Sequence, residues 1–260
     1  MRILSIANQK GGTGKTATAQ NVGYILAESG LRVLLIDADP QSSLTRACGI
    51  EDASSRNLAG IMGGAQPGRL TIKQVARSLG ENKPKLIPSD IELALSELHI
   101  NQRYGRESIL KNALESAQGK YDIVIIDCAP SLGLLTINAL SASHAVLVPS
   151  QPSAVDLRGA RLFLNTLEDI QNELNPSLEL LGILLTFYDP RISHHVKAKE
   201  QLEKAGLPVL PVLIGRSVRV VEAASAGVSV IEYEPNNPQS KNYRELSEII
   251  KSWLKKQKKN

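Results

Sequence analysis

Eight consecutive residues, Gln9-Lys10-Gly11-Gly12-Thr13-Gly14-Lys15-Thr16, have the types and spacing for phosphate chemistry. The glycines let backbone N–H groups converge on an anion with no Cβ in the way, and a helix starting at the end of the run adds partial positive charge. Lys15 then meets phosphate oxygens as a point charge, and the Thr16 hydroxyl offers an oxygen to magnesium. A nucleoside triphosphate is the occupant this combination suits. The flanks agree: Ile3 to Ala7 reads as a buried strand and Ala17 to Leu26 as a helix, which separates a phosphate-binding loop from a Gly/Lys-rich surface turn. The common pattern has a glycine five positions before Gly14; here that residue is Gln9, and a second lysine, Lys10, stands at the mouth of the loop. Lys10 is too near the start of the loop to fold back easily on the same phosphates. It is better placed to reach a nucleotide held by a neighbouring subunit.

Magnesium-assisted phosphoryl chemistry also needs carboxylates. Asp37-Ala38-Asp39-Pro40-Gln41 closes the apolar run Arg32 to Ile36, and Asp127-Cys128-Ala129-Pro130 closes Tyr121 to Ile126. In a parallel sheet the carboxyl ends of the strands open on one crevice, so Asp39 and Asp127 can converge on a nucleotide held at Gly11 to Thr16. Either acid alone is equally read as the cap of a following helix. With the loop and both acids in this order, the catalytic reading is the stronger one.

The elements that must position these groups are legible as alternation. Strand-like runs at Lys85 to Pro88, Ala145 to Pro149, Leu180 to Phe187 and Val209 to Ile214 are separated by helical sequence, the pattern of an α/β fold with a mostly parallel central sheet flanked by helices on both faces. Helices are expected at Ile91 to Ile100, Ile109 to Ala117 and Asn242 to Leu254, and loops with short helices over Ser42 to Gly68. With no repeat and no long linker, residues 1–260 read as one domain with a basic tail of Lys255, Lys256, Lys258 and Lys259. A composition 42% hydrophobic and 22% charged is that of an ordinary soluble globular protein. Only two cysteines, Cys48 and Cys128, argue against a disulfide scaffold and for a reducing cytoplasm. No signal peptide, preceding DNA-reading domain or bilayer-spanning run is expected. A net charge of +4 permits nucleic-acid binding without demanding it. The adjacent His194 and His195 do not share a helix face and have no Cys or acid cluster beside them, so they read as surface or helix-start residues rather than metal ligands.

The Lys-Gly-Gly-x-Gly-Lys-Thr form resembles the deviant Walker A motif of the ParA/MinD family of dimerising ATPases, which implies the P-loop NTPase fold and a Lys10 that crosses the dimer interface. Asp127 resembles the family's Walker B acid and Asp37-x-Asp39-Pro-Gln its switch I. That implies Asp39 as the residue positioning the attacking water and Thr16, Asp37, Asp39 and Asp127 as holding magnesium. Lys10, Lys15 and Asp39 are then the catalytic residues, and Lys10, Gly11, Gly12, Thr13, Gly14, Lys15, Thr16, Ala17, Phe187 and Pro211 the nucleotide-binding ones. Asp127 to Ser131 with Leu135 to Leu140 resembles switch II and its helix. Thr186-Phe187-Tyr188-Asp189 with Arg191, and Arg216-Ser217-Val218-Arg219 with Glu222-Ala223, resemble blocks of chromosomal and small-plasmid ParA proteins of the Soj type. The resemblance covers nearly the whole chain. Two positions depart from it: Ala17 replaces a frequent threonine but keeps its backbone donor, and Gly215 replaces a common proline, which would loosen the edge of the adenine pocket.

By the same resemblance, Arg191 and Arg219 belong to a non-specific DNA-binding surface of the dimer; each alone reads as a solvated arginine. The implied activity is ATP hydrolysis with magnesium, slow without an activator. The implied partners are a second copy of the chain, nucleoid DNA and an adaptor of the ParB or McdB type, and the implied location is the cytoplasm, on the nucleoid. The cargo would be a plasmid, a chromosome origin or a protein organelle such as a carboxysome. Two rivals stand beside this. Leu246, Ile249, Ile250, Trp253 and Leu254 form an apolar stripe that either packs on the sheet or, as in a MinD-like ATPase, lies on a membrane. A metabolic enzyme on the same scaffold, such as an iron–sulfur reductase, would need cluster cysteines, and Cys128 sits in the wrong place for one.

Overall fold

The structure is a computed structural model that describes residues 1–54, 56–63 and 70–256, with the backbone alone for residues 154–158 and 160. Its strands are β1 (Arg2–Ile6), β2 (Val33–Ala38), β3 (Arg77–Ser78), β4 (Lys85–Ile87), β5 (Ile123–Cys128), β6 (Ala145–Ser150), β7 (Glu179–Thr186) and β8 (Val209–Ile214). They form one sheet in the order β3-β4-β2-β5-β1-β6-β7-β8, parallel throughout except for the short β3–β4 pair. Strands β2, β5 and β6 are buried at every position, as unbroken apolar runs must be when helices cover both faces of a parallel sheet. β1 lies between β5 and β6, so its carboxyl end opens in the middle of the sheet, where such folds bind ligands.

The helices are α1 (Lys15–Glu28), α2 (Ser43–Ala47), α3 (Leu58–Met62), α4 (Ile72–Val75), α5 (Glu92–Ile100), α6 (Ile109–Glu115), α7 (Leu134–Ala142), α8 (Ala154–Glu173), α9 (Ser193–Lys204), α10 (Val218–Ser225), α11 (Val230–Tyr233) and α12 (Pro238–Lys256). They divide the core in two. One face of the sheet packs residues such as Leu93, Leu110, Leu135, Phe163 and Leu202, from α5 to α9. The other packs Val22 and Ile25 of α1 with Tyr243, Leu246 and Ile250 of α12. Gly23 sets how closely α1 approaches the sheet: a Cβ there would lie 2.6 Å from Leu35 Cδ2.

The expected strands are all present within a few residues. The additional β3 is too short to show any periodicity. Helix α12 starts four residues before the expected Asn242, with Pro238 in its first turn and the Asn237 side chain accepting from Gln239 N at 2.9 Å. The apolar stripe of α12 is spent inside: Leu246 and Ile250 are fully buried and Trp253 and Leu254 nearly so, against α1 and β8. Among the described residues no helix is long and apolar enough to cross a membrane. Of the expected basic tail, Lys258 and Lys259 lie outside the described residues, as does part of the loop region expected up to Gly68.

Candidate nucleotide site

The loop between β1 and α1 is anchored by side chains from neighbouring strand ends. Buried Asn8 donates to Pro149 O at 2.7 Å and accepts from Lys10 N at 3.1 Å, tying the loop's entry to β6. Gln151 Nε2 donates to Gly12 O at 2.9 Å, and Thr186 Oγ1 donates to Thr13 O at 2.8 Å. With these carbonyls turned outward to partners, the loop is free to present its N–H groups to an anion. Gly12 and Gly14 have φ of 70° and 85°, left-handed values at which a side chain is strained, and Gly14 caps α1. Lys15 is nearly buried, and its ammonium donates to Lys10 O at 2.9 Å. Burial lowers its pKa, an effect opposed by the nearby charge of Asp127.

Beneath the loop, Thr16 Oγ1 donates to Asp127 Oδ2 at 2.7 Å, while Asp127 Oδ1 is buried with no hydrogen-bond partner. Burial first, and the charge of Asp37 second, raise the Asp127 pKa well above the carboxylate range. A buried carboxylate oxygen without a donor costs free energy until a cation meets it. Thr16 and Asp127 therefore fit magnesium, a hard ion that takes a carboxylate and a hydroxyl alongside phosphate oxygens. Magnesium usually keeps several waters and takes phosphate oxygens beside one or two carboxylates, which suits a site of this kind.

Asp37 stands opposite Asp127 in the β2–β5 register but is engaged differently. Its Oδ2 accepts from both Thr45 N at 2.8 Å and Thr45 Oγ1 at 2.7 Å, and its Oδ1 accepts from Asp39 N at 3.2 Å. Burial pushes it up to about 6 despite these donors. Its oxygens hold the loop that carries Asp39, and Thr45 Oγ1 passes the restraint on by accepting from Ser89 N at 2.9 Å. In this structure Asp37 braces the loop, and it stands beside Asp127 in the group of residues expected to hold or support magnesium. Asp39 itself is half-buried and lines the crevice, its Oδ1 accepting from Gln41 N at 2.9 Å.

The crevice has a volume of about 600 Å³ and is lined by residues 11–17, Asp39, Arg46, Pro130 and Phe187, and by Val220, Val221 and Ala224 of α10. The expected P-loop residues thus converge with Asp39 and Phe187. Phe187 follows β7 with φ 52°, a strained value for an aromatic residue, and the Arg216 guanidinium lies 5.1 Å from its ring centroid. Pro211 does not line the crevice. It is exposed, three residues before the end of β8 and so ~10 Å back along the strand, and apolar residues of α10 take the place expected of it. Gly215 is not loose either: its N–H donates to Gln239 Oε1 at 2.8 Å, a bond a proline would lack.

The two arginines expected on the DNA surface are exposed, and each is paired with acids. Arg191 meets Asp189 at 2.8 Å; Arg219 meets Glu222 at 2.7 Å and Glu234 at 3.2 Å. His195 Nδ1 accepts from Asp189 N at 3.0 Å, so it organises the turn before α9. Cys128 is buried, and burial pushes its thiol up to about 12, the opposite of what a cluster thiolate needs. Asn8, Gln151 and Thr186 are site residues that sequence reasoning did not assign, because each acts through a partner distant in sequence, and Arg46 lines the crevice without having been assigned.

A family model described as an AAA domain matches residues 1–180. The chain is 38% identical over 252 residues to the sporulation initiation inhibitor protein Soj of Bacillus subtilis, covering 96% of this chain and 98% of that one. It is 40% identical over 257 residues to the chromosome partitioning protein ParA of Caulobacter vibrioides, covering 96% and 94%. Among solved structures it is similar to one named cobyrinic acid a,c-diamide synthase from Mycobacterium smegmatis, with bound ATP analog and magnesium. The TM-score is 0.85 at 36% identity, covering 97% of this chain and 95% of that one.

Proposed function

The chain belongs to the ParA/MinD family of P-loop ATPases, and we propose that it is a positioning ATPase whose ATP-bound dimer binds DNA non-specifically and moves a cargo through an adaptor that stimulates hydrolysis. The observation that supports it most is the orphaned Asp127 oxygen beside the Thr16 hydroxyl, directly under the glycine loop. The N–H groups of residues 11–17 and the Lys15 ammonium bind and orient the phosphates of ATP. Thr16 and Asp127 hold magnesium, which when bound offsets charge on the phosphate oxygens. Asp39, carried on the loop that Asp37 braces, orients the attacking water. Lys10 from a second copy completes the charge on the leaving oxygens, so the nucleotide joins two chains and its hydrolysis releases them. Turnover by the chain alone is slow. The adaptor's identity sets the cargo, whether plasmid, chromosome origin or protein organelle, and the dimer's DNA affinity places it on the nucleoid.

The test is phosphate release from ATP and magnesium by the wild-type chain and by Asp39→Ala. The variant should bind ATP normally and hydrolyse at least tenfold more slowly; undiminished release would assign the water to another group. The name of the Mycobacterium smegmatis protein implies amide formation, in which ATP activates a carboxylate. ATP turnover that requires an added carboxylate and amine donor, and ignores DNA and adaptor, would favour that reading.

A further inference from the structure

The amino ends of β2, β4 and β5, opposite the nucleotide crevice, border a second cavity of about 620 Å³. Its rim carries Arg32, Lys73, Lys83, Lys85 and Lys120, and among the described residues no acidic one lines it. Two of these charges are met locally, Arg32 by Asp122 at 3.0 Å and Lys83 by Glu232 at 2.5 Å. The other three are not. Lys120 Nζ donates to the neutral carbonyl of Ser116 at 2.7 Å, and the exposed Lys73 and Lys85 side chains make no hydrogen bond or ion pair with any described residue. The floor is apolar, made by Leu31, Val33, Ile72 and the ring of nearly buried Tyr121.

We propose that this cavity binds a small organic polyanion: an apolar, flat body seated on the floor, carrying two or more phosphate-like groups that meet Lys73, Lys85 and Lys120. Three uncompensated like charges around one cavity repel one another, and a multivalent anion is the ligand that relieves them. The cavity's size is that of a small-molecule site, and its concavity favours a compact ligand over a duplex, whose phosphates track along open surfaces. It lies at the opposite end of the strands from the glycine loop, so the two sites do not share lining residues.

The experiment uses the full chain with magnesium and one equivalent of ADP per chain, so that the nucleotide crevice is occupied without a large excess of free ADP. The probe is 8-hydroxypyrene-1,3,6-trisulfonate, an aromatic polyanion, followed by fluorescence anisotropy. Wild type should bind it, and inorganic tripolyphosphate should compete. Lys73→Ala with Lys85→Ala should weaken binding at least tenfold with an unchanged thermal midpoint, as expected for exposed side chains. Lys197→Ala with Lys241→Ala, which removes the same charge elsewhere on the surface, should leave it unchanged. The proposal is overturned if the first double variant binds as wild type does, or if the control pair weakens binding equally. Displacement of the dye by short duplex DNA more effectively than by tripolyphosphate also overturns it.

Discussion

Lys10 and Lys15 lie five positions apart in one loop, and the proposed function gives them different sites. Lys15 reaches back across the loop to the Lys10 carbonyl, a neutral acceptor that phosphate oxygens would replace in the proposed nucleotide complex. Nothing in the binding of its own chain's phosphates calls for Lys10 as well. Lys10→Ala should therefore bind ATP with little change yet remain monomeric with ATP in size-exclusion chromatography with light scattering, and full dimerisation of the variant would sink the crossing role. A second residue-scale prediction concerns His144, whose Nδ1 accepts from Ile3 N at 3.1 Å. Burial first, then the charge of Arg2, holds its pKa down at about 4, below its ordinary 6.5. The fold needs the neutral ring, so this contribution is complete above 6.5 and is lost as pH falls toward 4. Denaturant unfolding should show a loss of about 1 kcal/mol from this group between pH 7 and pH 5, after discounting for the part of the ring open to water. His144→Gln should lack that loss. The glycine loop and Asp127 are legible in the sequence because their types, order and flanking strands are local. Asn8 is not, because its meaning is a bond to Pro149, 141 residues away.

At the scale of elements, α12 decides between two uses of one apolar stripe. A surface-lying helix would keep Ile250 for lipid; here Ile250 is fully buried against α1, in the core that also holds Tyr243 and Leu246. Ile250→Ala should cost about 3 kcal/mol in denaturant unfolding, the range for truncating a buried aliphatic side chain. Wild-type chain with ATP should stay in the supernatant when anionic vesicles are sedimented. A variant that loses no stability but changes vesicle binding would return the helix to the membrane reading. The sheet was readable strand by strand because a buried parallel strand is a continuous apolar run with little else to mimic. Boundaries were less so. Pro238 reads as a helix breaker in isolation, while in place it occupies a first-turn position where its missing N–H costs nothing.

At the scale of the whole molecule, the proposed DNA binding calls for a link to the nucleotide through the fold, and α10 is the element placed to supply it. Val220, Val221 and Ala224 line the nucleotide crevice while Arg219, on the same helix, is exposed. Arg191 follows β7, whose last residue, Thr186, holds the Thr13 carbonyl of the loop. Both arginines are paired with acids in the isolated chain, but exposed ion pairs are worth only about 0–1 kcal/mol, so phosphate can replace the carboxylates at little cost. One chain offers too few such contacts for firm binding, and a dimer doubles them on linked surfaces, where the second contact acts at high effective concentration. DNA affinity should therefore require ATP, ignore sequence and fall steeply with salt, and each arginine-to-alanine change should reduce the log–log salt slope by about one per lost contact. The measurement is binding of wild type, Arg191→Ala and Arg219→Ala to unrelated duplexes across a salt series with ATP, with light scattering to show that each variant still dimerises. Glu222→Gln adds a gain-of-function arm: freeing Arg219 from one competitor should tighten DNA binding. Wild-type binding that is indifferent to ATP, or variants that dimerise and bind as tightly as wild type, would move the DNA surface away from α10 and the β7–α9 turn.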